Sequence, residues 1–172
     1  MEILFKGRRV DNGVWVEGFY SQFHNRPTID KPNSHQIFEL IDKGVKLFGS
    51  SIGGYWHIVD PETICQYTGK NDRKGKRIFS NDIVRSFGEG DFASLFEDFI
   101  VKWDEDKCRY IAIDERGRTE EFDTFFAEHC EVTFNLHNPT KIMLGDKILV
   151  DLTTDEKLMA LIEKYKPKEG ES

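Results

Sequence analysis

The chain has 172 residues and a mass of 20.0 kDa, with 38% hydrophobic and 13% aromatic residues, which is enough to bury a core and to exclude disorder for its body. Its net charge of −7 and pI near 5.3 disfavour nucleic-acid binding through the overall field of the protein. No apolar run approaches the roughly 20 residues that span a bilayer, and no charged-then-apolar leader opens the chain.

Two apolar runs near the start of the chain predict a β-hairpin. Residues 4–10 and 14–23 flank Asp11-Asn12-Gly13, and an Asn-Gly pair is typical of a type I′ turn, so the two runs are expected to pair antiparallel. Residues 24–33 contain two prolines and are mostly polar, which is typical of a loop. A second flexible connector is expected at residues 49–54.

The next apolar segments do not by themselves separate a helix from a strand. Residues 37–41 and 45–48 flank Asp42-Lys43-Gly44, and five residues are too few for periodicity to decide. A strand is then expected at residues 55–59, and Asp60-Pro61-Glu62 should end it.

The middle of the chain predicts two strands joined by a charged tip. Residues 63–67 and 78–87 are expected to be the strands, and Gly69 and Gly75 allow the turns in the segment between them. A loop is expected at residues 87–95, where no clear period is present.

The second half predicts two further hairpins. Residues 99–103 and 108–113 are separated by an acidic turn, whereas residues 120–126 and 131–136 follow a turn at residues 116–118. The whole chain then contains eight to ten short strands with turn signals every 8–12 residues, a pattern typical of a β-barrel or sandwich.

The end of the chain predicts an amphipathic helix. Thr153-Thr154-Asp155-Glu156 matches the Ser/Thr-x-x-Glu capping box, and Pro167 should end the helix. The apolar stripe consists of Leu158, Leu161, Ile162 and Tyr165. A helix of about three turns is not stable alone in water, so this stripe is expected to pack on the body of the protein or on a second subunit.

Candidate catalytic and metal-binding residues are few. His129-Cys130 and His137 lie close in sequence, but no further ligand pair at zinc spacing accompanies them, so no metal site is predicted. Asp82 lies beside Ile83 and Val84, and a buried position would suit it to proton transfer. The alternative is a structural carboxylate that accepts hydrogen bonds from turn backbone. No catalytic residue and no cofactor is assigned.

Three cysteines, Cys65, Cys108 and Cys130, form no CxxC pair. An odd number of unpaired cysteines favours a reduced, cytosolic setting. All three thiols are expected to be buried and unreactive, as free cysteines commonly are.

A basic segment is the strongest candidate binding site. Residues 70–77 hold five cations and one anion, whereas residues 89–106 hold seven anions and one cation and are a candidate to neutralise them. Cations for phosphates and rings for base stacking, here Tyr67 and Phe79, are the chemistry of a nucleic-acid adaptor. The candidate binding cations are Lys70, Arg73, Lys74, Lys76 and Arg77.

The favoured interpretation of the whole chain is a non-enzymatic binding or accessory module that acts through the surface of a β-barrel, and the nucleic-acid adaptor is an alternative to it. Exposed strand edges and acidic loops suit a protein partner that binds by strand addition. The terminal helix and the many rings favour self-association as a homo-oligomer. A small enzyme with Asp82 in a pocket is the remaining alternative.

Several stretches of the sequence are similar to one known family. Residues 59–84, VDPETICQYTGKNDRKGKRIFSNDIV, and the opening MEILFKGRRVDNGVWVEG resemble the YopX-like proteins of phages and prophages. Residues 101–104 resemble the V-x-W-D strand of that family, and Glu131-Val132 with residues 135–139 resemble its closing segment.

The resemblance covers about residues 1–142 and departs from the family pattern at two places. Ser80-Asn81 stand where the family has Glu-Gly, and Thr133-Phe134 stand where it has a small glycine-containing step. Because glycine adopts backbone conformations that other residues avoid, the backbone geometry at both places is open.

Together with the predicted helix, the resemblance implies a mostly β fold in three parts. These are a small irregular N-terminal β subdomain at residues 1–58, an SH3-like β-barrel at 59–145, and a short C-terminal α-helix with its tail at 146–172. The resemblance also implies phage or prophage origin and a cytoplasmic location in the bacterial host cell. It carries over no catalytic residues.

Overall fold

The computed structural model describes residues 3–23, 34–40, 54–87, 96–138, 141–144, 147–151 and 156–165. The chain divides into two compact units, Met1–Gly69 and Lys70–Ser172. The three-part division at 58/59 and 145/146 stays a prediction. Several expectations lie outside the described residues: the loop at 24–33, the turn and strand at 42–48, most of the connector at 49–54, most of the loop at 87–95, the first three residues of the capping box and Pro167.

The first unit is built on an antiparallel sheet. Its strands are β1 (Phe5–Arg8), β2 (Trp15–Phe23), β3 (Ser34–Leu40), β4 (Gly54–Ile58) and β5 (Cys65–Asn71), the last of which continues two residues beyond the unit. The spatial order is β4-β3-β2-β1-β5. The predicted hairpin of residues 4–10 and 14–23 and the strand at 55–59 are confirmed. Residues 37–40 form a strand and no helix, because β3 pairs with β2 on one side and with β4 on the other.

The first hairpin turn differs from the predicted type I′ turn. Gly13 has the expected positive φ of 69°, whereas the non-glycine residues with positive φ in the described part of the chain are Asn81 and Cys108, so Asn12 is not left-handed. The turn is longer than two residues, because the Gly13 N–H donates to the Arg9 carbonyl and the Arg9 N–H donates to the Val14 carbonyl.

The first sheet curls so that β1 and β4 meet again beyond their ends. Arg9 and Val59 form an antiparallel bridge, the Val10 N–H donates to the Ile58 carbonyl at 3.0 Å, and the Asp60 N–H donates to the Arg8 carbonyl at 2.9 Å. The chain then turns at a single 3-10 turn, Pro61–Thr63, so the predicted strand end at Asp60-Pro61-Glu62 is confirmed. The small core inside the curl consists of Val16, Ile37 and Val59 with Phe5 and Ile64 packed against it.

The second unit contains a five-stranded antiparallel sheet. The elements of the second unit are β6 (Arg77–Phe79), β7 (Asp82–Phe87), β8 (Phe96–Asp104), β9 (Arg109–Ile113), β10 (Thr119–Glu121), α1 (Thr124–Glu128), β11 (Cys130–Asn135), β12 (Lys141–Leu144), β13 (Lys147–Asp151) and α2 (Glu156–Tyr165). The sheet order is β10-β9-β8-β7-β11, and β12 pairs with β13 apart from it. The hairpin predicted from residues 99–103 and 108–113 is confirmed as β8 and β9.

Two strand predictions in this unit are wrong. The run 78–87 is interrupted at residues 80–81, which separate β6 from β7. The run 120–126 does not pair with 131–136: β10 pairs with β9, and β11 pairs with β7. The Asp123 carboxylate accepts a hydrogen bond from the Phe126 N–H at 2.8 Å, and this N-cap starts α1 where the strand was expected.

Both departures from the family pattern lie at backbone irregularities. Asn81 has a φ of 64°, a left-handed conformation that asparagine tolerates better than most residues and that glycine adopts freely. The pairing of β11 with β7 shifts between Val132 and Phe134, and the Thr133 hydroxyl in this bulge donates to the Ile83 carbonyl at 3.1 Å. The chain therefore keeps glycine-like geometry at Asn81 without glycine.

The predicted C-terminal helix is confirmed as α2, and Leu161, Ile162 and Tyr165 of its apolar stripe pack against the rest of the second unit. Leu161 and Ile162 are buried in a cluster with residues of β7, β8, β11 and the residue that follows β11. The other buried members of the cluster are Ile83, Ile100, Phe134 and Leu136. Because isolated ten-residue helices are unstable, this contact with the body of the unit is what keeps α2 folded.

The second core cluster of this unit lies where β7, β8 and β9 face α1. Its buried members are Ile78, Val84, Phe99, Val101, Ala112, Phe122, Ala127 and Cys130. The mostly β fold with a short C-terminal helix is thus confirmed. The SH3-like barrel stays a prediction. No helix in the described part of the chain is long and apolar enough to cross a bilayer.

The cysteines are all free, but the expectation that all three are buried is wrong. Cys65 and Cys130 are buried, whereas Cys108 is exposed because it lies at positive φ in the turn between β8 and β9. Burial, together with the nearby charges of Asp72 and Glu131, raises the pKa of the Cys130 thiol to about 12. Cys130 is therefore a packing residue and no nucleophile.

Candidate binding surfaces

The basic turn, residues 72–76, is organised by a buried carboxylate. One oxygen of Asp72 accepts hydrogen bonds from the N–H groups of Lys74 and Lys76, each at 2.9 Å. The other accepts the N–H of Val132 in β11 at 3.0 Å. The Arg73 N–H in turn donates to the Cys130 carbonyl at 3.1 Å. The basic turn thus satisfies backbone groups on the outer edge of β11, the last strand of its sheet.

The cations of this turn also fold back onto the same strand. Arg73 and Lys74 both contact the Glu131 carboxylate at 2.6 Å, and the Arg73 guanidinium lies over the Phe87 ring, 4.3 Å from its centre. The acid that neutralises these two cations therefore lies in β11, outside the acidic segment 89–106. Two of the five predicted binding cations are engaged within the protein and face competition from Glu131 for any phosphate.

The remaining members of the predicted nucleic-acid surface differ in their exposure. Lys70 donates to the Thr124 hydroxyl at 2.9 Å, Lys76 is exposed, and Arg77 and Tyr67 are half-buried. Phe79 is 1% exposed and belongs to the interior, so the expectation that its ring stacks on a base is wrong. Of the two rings predicted to stack on bases, one is therefore inside the protein and the other, Tyr67, is half-buried, and binding by the cations stays a prediction.

The ion pairs of Glu131 lead to a pH prediction. The hydrogen bond from Lys74, with the charge of Arg73, lowers the pKa of Glu131 below its ordinary value of 4.5. A lowered pKa in the folded state contributes stability that is complete above the unfolded value and is lost as the pH falls through the folded value. We expect Glu131→Gln to be less stable than the wild type at pH 7, with a gap that starts to close below pH 4.5 and disappears once the pH is below the folded pKa.

Urea denaturation at pH 7, 5 and 3.5 measures this difference, with Glu120→Gln on exposed β10 as the matched control. A constant gap between wild type and Glu131→Gln at all three pH values would contradict an ionic contribution of Glu131.

Asp82 is completely buried and its carboxylate is occupied. One oxygen accepts the Phe79 N–H at 2.8 Å, and the other accepts the Asn135 side-chain amide at 2.8 Å. Asn135 in turn accepts the His137 N–H at 3.0 Å, which ties the end of β11 to the turn before β7. This is the arrangement of the structural alternative, in which Asp82 holds backbone in place.

If Asp82 is structural, the variant Asp82→Asn should have a lower free energy of unfolding than the wild type. In Asp82→Asn one side of the new amide presents N–H groups to a donor, so we expect the free energy of unfolding to fall by about 1–3 kcal/mol. Chemical denaturation with an unchanged m-value would measure the loss. Wild-type stability in Asp82→Asn would contradict the structural role.

The histidines and the cysteine considered as metal ligands do not converge. His129 bonds the Phe125 carbonyl through Nδ1 at 2.7 Å, whereas His137 bonds the Asn81 amide through Nε2 at 3.2 Å. Within the ranges that the structure describes, no group of three or more His, Cys, Asp or Glu side chains is placed to hold a metal ion.

Sequence reasoning did not find a cleft in the first unit, which we call the Trp56 cleft. It has a volume of about 440 Å³ and lies between the β1–β2 turn and the end of β4. Its lining residues are Arg9, Val10, Asp11, Trp56, His57 and Ile58. Of its apolar residues, Trp56 is 50% exposed, and Val10 and Ile58 are exposed as well. Large exposed rings beside a cleft are typical of binding surfaces.

Local contacts hold the walls of this cleft in place. The Trp56 ring packs on Phe38 of β3, with ring centres 4.8 Å apart. The His57 ring bonds the Glu39 carboxylate at 3.0 Å, and the Arg9 guanidinium forms a two-point ion pair with Asp11. The sequence signal for this site was Tyr55-Trp56, two adjacent rings in a short strand, but 45 residues separate Trp56 from Asp11.

Comparison with known proteins assigns the lineage. The model of the family described as YopX protein matches residues 19–143, which is more than half of the chain. The chain belongs to the YopX protein family. No curated protein matches it. The YopX match includes both the basic turn and Trp56, and it ends before α2.

Proposed function

We propose that this YopX protein is a phage- or prophage-encoded accessory protein that binds a protein partner in the host cytoplasm. The observation that carries the proposal is the Trp56 cleft, which offers an exposed tryptophan, two aliphatic side chains and an arginine on one surface. Tryptophan, tyrosine and arginine are the residues that most often dominate the binding energy of protein interfaces.

Two further observations support a non-enzymatic role. Asp82, the best catalytic candidate of the sequence, is completely buried, and both of its carboxylate oxygens accept hydrogen bonds from groups within the protein. The Cys130 thiol is kept protonated by burial. The occupied cations of the basic turn favour a protein partner over a nucleic acid. The partner is of phage or host origin, or a second copy of the chain as a homo-oligomer.

A pair of tryptophan variants tests the proposal. Trp56→Ala removes the main ring of the cleft, and Trp103→Ala removes a ring of the second unit that has the same 50% exposure. Tagged wild type and variants are used for affinity capture from infected or lysogenic cells, followed by quantitative mass spectrometry. We expect the captured proteins to be lost with Trp56→Ala and kept with Trp103→Ala.

If both variants capture the same proteins in equal amounts, or if the wild type captures only copies of itself, the cleft does not bind a separate partner protein. Light scattering after size-exclusion chromatography of the purified wild type measures self-association in the same samples.

A further inference from the structure

Two carboxylates in or near the Trp56 cleft are exposed to solvent although each has a partner. Asp11 binds Arg9 and yet remains 61% exposed, and Glu39 binds His57 and yet remains 47% exposed. The hydrogen bonds that Arg9 donates to Asp11, together with the more distant charge of Glu39, raise the pKa of Arg9, so both carboxylates act on this one guanidinium. Within the cleft lining, Arg9 and Asp11 form one ion pair, and Asp11 is the exposed carboxylate that a further cation can reach.

The carboxylates retain capacity to accept hydrogen bonds. An ionised carboxylate has about four lone-pair sites, and the Arg9 guanidinium uses two of those on Asp11. Because more than half of the Asp11 side chain is open to solvent, a second donor can approach it without displacing Arg9. The pKa of Asp11 is lowered by the hydrogen bond from Arg9, so the group stays ionised in neutral solution.

The apolar part of the cleft complements this charge. Among aromatic side chains, tryptophan attracts a cation most strongly. A cation over the face of an exposed ring such as Trp56 contributes roughly 0.5–1 kcal/mol of binding free energy. Val10 and Ile58 offer aliphatic surface for the stem of a long side chain. The net charge of −7 on the whole chain adds a long-range field that draws cations and repels anions.

We propose that the Trp56 cleft binds an arginine or lysine side chain from a basic segment of the partner protein. This inference rests on the proposed function and names the chemistry of the partner. The cationic head lies over the Trp56 ring and bonds the free side of the Asp11 carboxylate, and its methylene stem covers Val10 and Ile58. An acidic segment would meet the exposed Asp11 carboxylate and a cation that is already paired.

Titration with two probe peptides tests the inference on the full-length protein. One is a nine-residue Gly/Ser peptide with three arginines, and the other has three glutamates at the same positions. The indole N–H signals of ¹⁵N-labelled Trp15, Trp56 and Trp103 report binding by NMR. Trp103 is the internal control, because it is as exposed as Trp56 and precedes the acidic turn 104–106, where non-specific attraction of cations would also occur.

We expect the arginine peptide to shift the Trp56 signal saturably and the glutamate peptide to leave it unchanged. Asp11→Asn should weaken binding roughly two- to fivefold, the range for one exposed charge pair, whereas Asp106→Asn should leave it unchanged. A shift of Trp103 in place of Trp56, an equal response to the glutamate peptide, or an unchanged affinity of Asp11→Asn would overturn the inference.

The results separate this inference from the proposed function. If the arginine peptide does not bind and Trp56→Ala still abolishes partner capture, the basic ligand is wrong and the cleft remains the partner site. If the peptide binds at Trp56 while Trp56→Ala keeps its captured proteins, the cleft recognises cations but the proposed function is wrong.

Discussion

Asp72→Ala is expected to lower the free energy of unfolding by about 2–4 kcal/mol, more than alanine substitution of an acidic residue in the acidic turn 104–106. The carboxylate accepts three backbone N–H groups and is only 5% exposed, so its removal leaves those donors without a partner. Urea denaturation followed by tryptophan fluorescence measures the loss. Asp106→Ala, in an exposed turn, is the matched control and should change stability by less than about 0.5 kcal/mol.

The same substitution should also change the state of association. Without Asp72 the basic turn no longer accepts the Val132 N–H, and the outer edge of β11 becomes available to another strand. We expect Asp72→Ala to form larger species in light scattering as its concentration rises, which Asp106→Ala should not do. A strictly monodisperse Asp72→Ala protein that keeps wild-type stability would show that the turn does not protect this edge.

Leu161→Ala is expected to cost about 2–5 kcal/mol, the range for truncation of a fully buried leucine. Leu161 is 0% exposed and lies between Ile83, Ile100 and Leu136, so the truncation leaves a cavity under α2. Because α2 depends on this contact to stay helical, the helical part of the circular dichroism spectrum should melt below the transition of the sheet.

Glu163→Ala, on the exposed side of the same helix, controls for helix propensity and should leave both transitions unchanged. If Leu161→Ala and Glu163→Ala unfold alike, α2 does not contribute to the core of the second unit.

Features with local causes could be predicted from the sequence. The hairpin of β8 and β9, the turn at Gly13 and the helix α2 each depend on residues that lie within about a dozen positions of one another. The family resemblance identified the lineage through residues 59–84, whose turns and buried carboxylates are required by the fold.

Features with distant causes could not be predicted. The charge of the basic turn is visible in the sequence, but its partner Glu131 lies nearly 60 residues away, and no local pattern indicates that β11 pairs with β7. Val10 and Trp56 line one cleft only because the first sheet curls and bonds Val10 to Ile58.

Cys108 makes the protein its own reporter of unfolding. Since Cys65 and Cys130 are inside the two units and Cys108 is at the surface, a maleimide dye should attach once per native chain and three times per denatured chain. Locating the attached dyes by peptide mapping with mass spectrometry during partial denaturation would then show whether Cys65 or Cys130 is exposed first, and so which unit opens first, without any engineered label.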